Sequence, residues 1–216
     1  VKGVTIQTRD TDPVVGGIPG GTWASGGSLP AALRENAGAG ATVDAALSFG
    51  GNPLNAETDS YNGTSWTEVA EMNTARRLLA GAGTQTAALA YGGWPPNRDE
   101  TEEWNGSSWT EVADLNTARR QASGCGVNAE ACLMISGNTE PAAVANVESW
   151  DGSSWTEVGD VNTAREGSNN WGTYTSAVSA GGIDASGGTI DNVESWNGSS
   201  WTEIVELNVG RRRAGT

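Results

Sequence analysis

Apolar and polar residues alternate in short runs along this chain, and no stretch brings its apolar positions back every three to four residues. A two-residue period belongs to strands with one buried face, and the helical period is missing. Gly, Asn, Asp or Pro interrupts the runs every few residues, and these residues supply the backbone conformations of turns. Between Arg76 and Arg119 the pattern predicts four strands, near residues 78–83, 87–92, 100–104 and 107–113.

The same pattern is written several times. WNGSSWTEV at 104–112 recurs as YNGTSWTEV (61–69), WDGSSWTEV (150–158) and WNGSSWTEI (196–204). The second Trp of each copy, at Trp66, Trp109, Trp155 and Trp201, advances in steps of 43, 46 and 46 residues, and a weaker copy sets Trp23 another 43 residues upstream. An Arg follows each Trp, at Arg34, Arg76, Arg119, Arg165 and Arg211. Asn-Gly and Asp-Gly favour hairpin turns because both residues tolerate positive φ, so each copy reads as two strands joined by a loop. An even loop places Trp104 and Trp109 on one face, and likewise Tyr61/Trp66, Trp150/Trp155 and Trp196/Trp201. Four strands in each period of 40–50 residues mark a β-propeller blade, with the aromatic pairs expected as wedges between blades.

The order Gly92–Gly93, Trp104, Trp109, Leu115, Arg119, preceded by Gly50–Gly51, Tyr61, Trp66, Met72, Arg76, resembles the kelch repeat of β-propeller proteins. The resemblance covers residues 18–216 and implies an all-β, kelch-like propeller of four-stranded antiparallel blades. Full blades are drawn at 34–72, 76–115, 119–161 and 165–207. Closure gives about five blades if strands within 1–17, an outer strand near 21–26 and the segment 208–216 make up the last one; the alternative is an arc of a larger ring. The variant NG(S/T)SWTE is similar to kelch-type repeats in structural proteins of tailed bacteriophages, marine ones especially. That likeness implies a virion or extracellular location and other virion proteins as partners.

Composition narrows the chemistry. With 12 basic and 26 acidic residues the formal charge is −14, which argues against nucleic acid, whose affinity comes from Lys and Arg neutralising phosphates, and against anionic membranes. No run of 18 apolar residues is present, so no membrane insertion is expected. The chain opens on Val1, compatible with a processed product or part of something longer. Histidine is absent, which removes the copper-oxidase chemistry of some kelch proteins and His-based acid–base catalysis. No cofactor and no metal are expected.

Individual residues carry weaker signals. Cys125 and Cys132 would face each other across a hairpin if Asn128–Ala129 forms its turn, allowing a disulfide; small buried thiols are the alternative. Three Asn-Gly-Ser/Thr sequons begin at Asn62, Asn105 and Asn197, but Asp151 keeps the turn without a glycan acceptor, so they read as turns. The repeated Arg, with Glu68, Glu111, Glu157 and Glu203 in the Trp strands, is expected to form structural pairs or to bind loop carbonyls. Acid clusters at Asp10/Asp12 and within 97–103 lack calcium-loop spacing. The loops after Gly-Gly differ from blade to blade, and variable loops on a rigid frame are where recognition sits. Trp94 with Pro95, Arg98 and Asp99 is the leading contact candidate. Trp171 is the second, a large ring at a place aligned with Gly40, Ala82 and Cys125 that would narrow the central channel.

These residues predict a non-enzymatic binding or structural propeller, a bacteriophage virion or fibre component presenting variable loops to a host-surface glycan or a neighbouring virion protein, with homo-oligomers open to it. A carboxylate-dependent glycosidase of sialidase-like type and an intracellular kelch adaptor are the alternatives.

Overall fold

The computed structural model describes residues 26–212, and these form a β-propeller of four blades without a helix. Blade one comprises β1 (Ala37–Thr42), β2 (Ala45–Phe49), β3 (Thr58–Tyr61) and β4 (Trp66–Glu68); blade two β5 (Ala80–Gly83), β6 (Ala88–Tyr91), β7 (Thr101–Trp104) and β8 (Trp109–Glu111). Blade three holds β9 (Ser123–Asn128), β10 (Ala131–Asn138), β11 (Ala143–Trp150) and β12 (Trp155–Glu157). In blade four β14 (Asn169–Thr173), β15 (Ser176–Ala180), β17 (Val193–Trp196) and β18 (Trp201–Glu203) follow. Two short strands, β13 (Arg165–Glu166) and β16 (Ile183–Asp184), link the third sheet to the loop of the fourth. Every blade is antiparallel in chain order, and the four strands predicted in blade two all form.

Four blades stand where the repeats predict about five. Of the segments assigned to the remaining blade, 1–25 with Trp23 and 213–216 lie outside the described residues, while 208–212 run as a connector without a strand. The inner strand β1 packs on β5, β5 on β9 and β9 on β14, but β14 and β1 make no comparable contact.

The core is three layers, one at each junction between blades. The Trp pairs fill them as predicted: Trp104 and Trp109 lie against Phe49 of blade one, and Trp155 against Tyr91 of blade two, with ring centroids 4.9–5.1 Å apart in the two contacts. Trp196 and Trp201 pack with Leu133, Ile135 and Val147 of blade three. Indole nitrogens find partners in register: Trp109 donates to Thr58 at 3.0 Å and Trp155 to Thr101 at 2.9 Å. Val147 replaces that Thr in blade three, and the buried Trp201 indole nitrogen has no partner. Tyr61 and Trp66 of blade one remain half-exposed.

The outer hairpins show why the phrase tolerates Asp for Asn. Asn105 Oδ1 accepts from the Ser107 and Ser108 amides at 3.0 Å, and Asp151 Oδ1 accepts from Ser153 and Ser154 at 2.9 Å. Asn105 Nδ2 adds a bond to the Ser108 hydroxyl at 3.2 Å, but the two amide contacts use only the side-chain oxygen, so either residue closes the turn.

A second element holds each junction. Glu102 in β7, fully buried, accepts from the Asn73 amide (2.6 Å) and Nδ2 (2.9 Å) and from the Thr74 amide, so it grips the connector arriving from blade one. It also pairs with buried Arg76 at 3.1 Å. Glu148 binds Asn116 and lies 3.1 Å from Arg119, and Glu194 binds Asn162 and pairs with Arg165. Burial lowers the pKa of each Arg and the adjacent Glu opposes the shift. The pairs are structural, as predicted, but their acids are not Glu68, Glu111, Glu157 and Glu203, which face solvent. Those acids lie on the outermost strand, whereas the third-strand acids sit two residues before the first aromatic, on its buried face.

Arg34 does not belong to the buried series. Its backbone bridges Asn52 as Arg77 bridges Trp94 and Arg120 bridges Asn138, so Leu33 occupies the place of Arg76. The spacing shows it: Arg34 comes eleven residues after Trp23, the others ten after their Trp. Asp59, the blade-one counterpart of Glu102, is thus buried without an Arg among the described residues, and desolvation followed by the nearby Glu68 raises its pKa.

Inner strands approach closely. A Cβ on Gly81 would meet the Phe49 ring at 2.7 Å, and one on Gly124 would meet the Tyr91 hydroxyl at 1.9 Å. Blade three carries the smaller Ile135 at this place, and the next inner strand accepts Asn170 there.

Two outcomes test this frame. Glu102→Ala, which leaves Arg76 buried and unpaired, should lower the urea-unfolding free energy by about 3–5 kcal/mol, while Glu111→Ala stays within about 0.5 kcal/mol of the parent. Gly124→Ala should cost about 1–3 kcal/mol, and together with Tyr91→Phe, which removes the clashing hydroxyl, the loss should fall clearly short of the sum of the single changes.

Candidate functional site

Antiparallel order gives the propeller two unlike ends. One carries only tight hairpin loops, at 43–44, 62–65, 84–87, 105–108, 129–130, 151–154, 174–175 and 197–200. The other carries the connectors between blades and the loops after Gly-Gly. Among the described residues the six arginines with solvent access, Arg34, Arg77, Arg98, Arg120, Arg211 and Arg212, all lie in connectors or Gly-Gly loops, while the hairpin loops contain no basic residue. On a chain of charge −14 this segregation makes the connector end chemically distinct.

Trp94 lies on this face, half-buried at the start of the blade-two loop. Its main chain bonds Arg77 in both directions at 2.9 Å, and the Arg120 guanidinium sits 4.4 Å from its ring centroid, a cation–π contact. Pro95 is half-buried and Pro96 exposed. Arg98 pairs with Glu100 at 2.5 Å; partial burial would raise the Glu100 pKa, but its backbone and Arg98 hydrogen bonds hold it low. Asp99 exposes its carboxylate, while the carbonyls of Arg98 and Asp99 accept from Arg119 and Leu115 at 2.9 Å. The loop thus splits its work, with its main chain holding the junction and its side chains facing out.

A polar network continues from Trp94 to the next blades. Arg120 pairs with Glu140 and donates to Asn97 Oδ1, Asn97 donates to the Asn138 carbonyl at 3.2 Å, and Asn138 Nδ2 and Gln121 both reach Glu166. On the other side Arg77 pairs with Glu35 at 2.6 Å. Arg77, Arg120 and Glu166 were not singled out from sequence. The signal was present in the doubled Arg76–Arg77 and Arg119–Arg120, whose first member is buried and whose second stands at the surface.

The axial opening is lined by backbone. A cavity of about 230 Å³ is bounded by Gly38–Gly40, Gly81–Gly83, Gly124–Gly126 and Asn170–Gly172, and one of about 180 Å³ by Asn36, Ser123, Asn170 and their neighbours. Asn170 is buried, donates to the Ser123 carbonyl at 3.1 Å and leaves Oδ1 unpartnered. Trp171 borders the larger cavity without plugging it. Pairing with Val178 makes its counterpart Ala39, not Gly40. Its side chain takes the face opposite Asn170, covered by the next blade at Ala39, Ala82 and Cys125 and 52% exposed at Trp171. Trp94 and Trp171 therefore lie on different blades and form no common site.

The acids in 97–103 also separate: Glu100 is paired to Arg98, Glu102 is buried in its junction, and Asp99 and Glu103 are exposed. Among the described residues no group of three His, Cys, Asp or Glu is placed to hold a metal ion. Asp10 and Asp12 lie outside the described residues. No protein-family model matches the chain, and no curated protein resembles it significantly.

Cys125 and Cys132 are free thiols. The turn falls one residue later than Asn128–Ala129, with Asn128 opposite Ala131, and a register shift sets Cys125 opposite Leu133. The two side chains then point to opposite faces, Cys125 toward blade four and Cys132 toward blade two. Burial pushes the Cys125 thiol up to about 12 and Cys132 higher still, leaving a thiolate fraction at pH 8 of about 10⁻⁴ or less. A disulfide-exchange reagent at pH 8 should therefore leave the native chain essentially unlabelled and titrate both thiols once denaturant is added.

Proposed function

We propose that this chain is a non-enzymatic, kelch-type binding propeller, a virion or fibre component of a tailed bacteriophage that works outside the cytoplasm and meets a host-surface glycan through its connector face. The observation that carries this reading is the gathering of every solvent-accessible arginine of the described residues, with Trp94, on one end of an acidic molecule. Guanidiniums held in ion pairs, neighbouring carboxylates and amides offer fixed donors and acceptors for sugar hydroxyls, and an aromatic ring offers a stacking surface. Repeated frame supplies rigidity, and the loops that differ between blades supply selectivity. The charge of −14 makes nucleic acid an unfavourable alternative.

The test is a glycan array and a host-cell adhesion assay on the full chain. Trp94→Ala with Arg120→Ala should weaken binding at least tenfold, whereas Thr86→Ala at the hairpin end should leave it within twofold of the parent. Retention of binding in the double variant, or binding only to another virion protein, sinks the glycan assignment.

A further inference from the structure

The side of blade four that faces away from blade three is built like an interface. In blades one to three this side is covered by the next blade: Ala39, Ala82, Cys125 and Leu47, Leu89, Leu133 are all buried there. Their blade-four counterparts are Trp171, 52% exposed, and half-buried Val178. Tyr174, Ile204, Val205 and Val209 are exposed on the same blade, so five of the eight large exposed apolar side chains among the described residues gather on it and its connector.

The connector leaving blade four keeps the geometry of the buried ones. Leu207 donates to the Asp191 carbonyl as Met72 does to Ala56 and Leu115 to Asp99; Arg211 donates to Ile190 and accepts from Gly182 as Arg76 does with Asn55 and Gly51. Asn208 and Arg211 stand where Asn73 and Arg76 stand, seven and ten residues after the Trp. Arg76, Arg119 and Arg165 are fully buried, each against a third-strand Glu. Arg211 is exposed, its side chain bonded only to the Val209 carbonyl among the described residues.

We infer that this face is an interaction surface for one more β-blade of the same design, whose third strand presents a carboxylate to Asn208 and Arg211 and whose outer hairpin lays an aromatic pair over blade four. The interface is the fourth instance of one the chain already makes three times, which fixes the chemistry of the occupant. By sequence the segment 1–25 lacks that acid, since Gly16 stands seven residues before Trp23 where Glu102 precedes Trp109. The leading face of a second copy does not fit either. Gly27 lies on the 62–65 hairpin against Thr64 as Gly159 lies on Ser199, so the chain's own 26–33 already occupies the place that Asn208–Arg211 would take, beside Leu33 and the shorter Asp59.

The test duplicates residues 166–211 in tandem after Arg211 in the full chain, which supplies such a blade. Hydrogen exchange across 169–180 should slow at least tenfold and acrylamide quenching of Trp171 should fall, and both effects should vanish when the added copy carries Ala at its Glu194 position. Unchanged exchange in the folded duplicate overturns the inference. The unmodified chain gives an independent reading: Arg211→Ala should leave the melting temperature unchanged, whereas Arg165→Ala lowers it. If Arg211→Ala destabilises equally, an acid already covers Arg211 and the inference fails; light scattering and deletion of residues 1–25 then tell a second copy from the chain's own N-terminal segment.

Discussion

Everything in this propeller depends on a carboxylate on the third strand of blades two, three and four that reaches back for the chain arriving from the blade before. Glu102, Glu148 and Glu194 each accept from a connector Asn through both its amide and its side chain and sit against a buried Arg. Burying such a pair costs much of what its attraction returns, so its value lies in what it forbids. A blade slipped by one residue would turn the acid to the opposite face and leave a guanidinium in an apolar layer. Trp pairs supply the burial, and the acid decides which blade edge meets which connector.

The fold was legible because a wedge must be written again each time it is used. Four strands, the hairpin of WNGSSWTEV and the burial of its aromatics on one face follow from alternation and turn chemistry, which are local. Partnerships were harder to see. Arg76 and Glu102 lie 26 residues apart, Arg119 and Glu148 29, and nothing local separates Glu102 from Glu111. Each stands two residues from an aromatic, and as opposite partners they share one face of the sheet; what separates them is that Glu102 lies on the third strand and Glu111 on the exposed outermost one. Arg34 resembles the series by nearness alone, for a one-residue offset moves its side chain from the junction to the surface. The connector face was legible in part: Trp94 and its loop stand out by their failure to repeat, while Arg77 and Arg120 hide behind the buried Arg that precedes them.

Small exchanges keep neighbouring blades in step. Phe49 and Tyr91 each press on a glycine of the following inner strand, and where Ile135 takes their place Asn170 fits opposite, with its Oδ1 buried and without a partner. At the first blade the exchange runs the other way. Leu33 stands for the buried Arg, the acid shortens to Asp59, and its carboxyl, unpaired among the described residues, is shifted above its ordinary range because burial disfavours its charge. The last connector keeps Asn208 and Arg211. The ends of the array thus differ in chemistry, and only one retains the groups that would engage another blade.

This asymmetry bears on where recognition can reside. At the three junctions the side faces of blades are committed to one another, and the hairpin end is set by the turn requirements of Asn62, Asn105, Asp151 and Asn197, which use their side-chain oxygens internally. Little there can vary without loosening a turn. Loops after Gly-Gly are constrained mainly through their main chain, as the carbonyls of Arg98 and Asp99 illustrate, so their side chains can change while the junction beneath stays closed. A propeller built this way has one end where selection can act on binding without acting on stability, and Trp94 and the outer arginines stand on it.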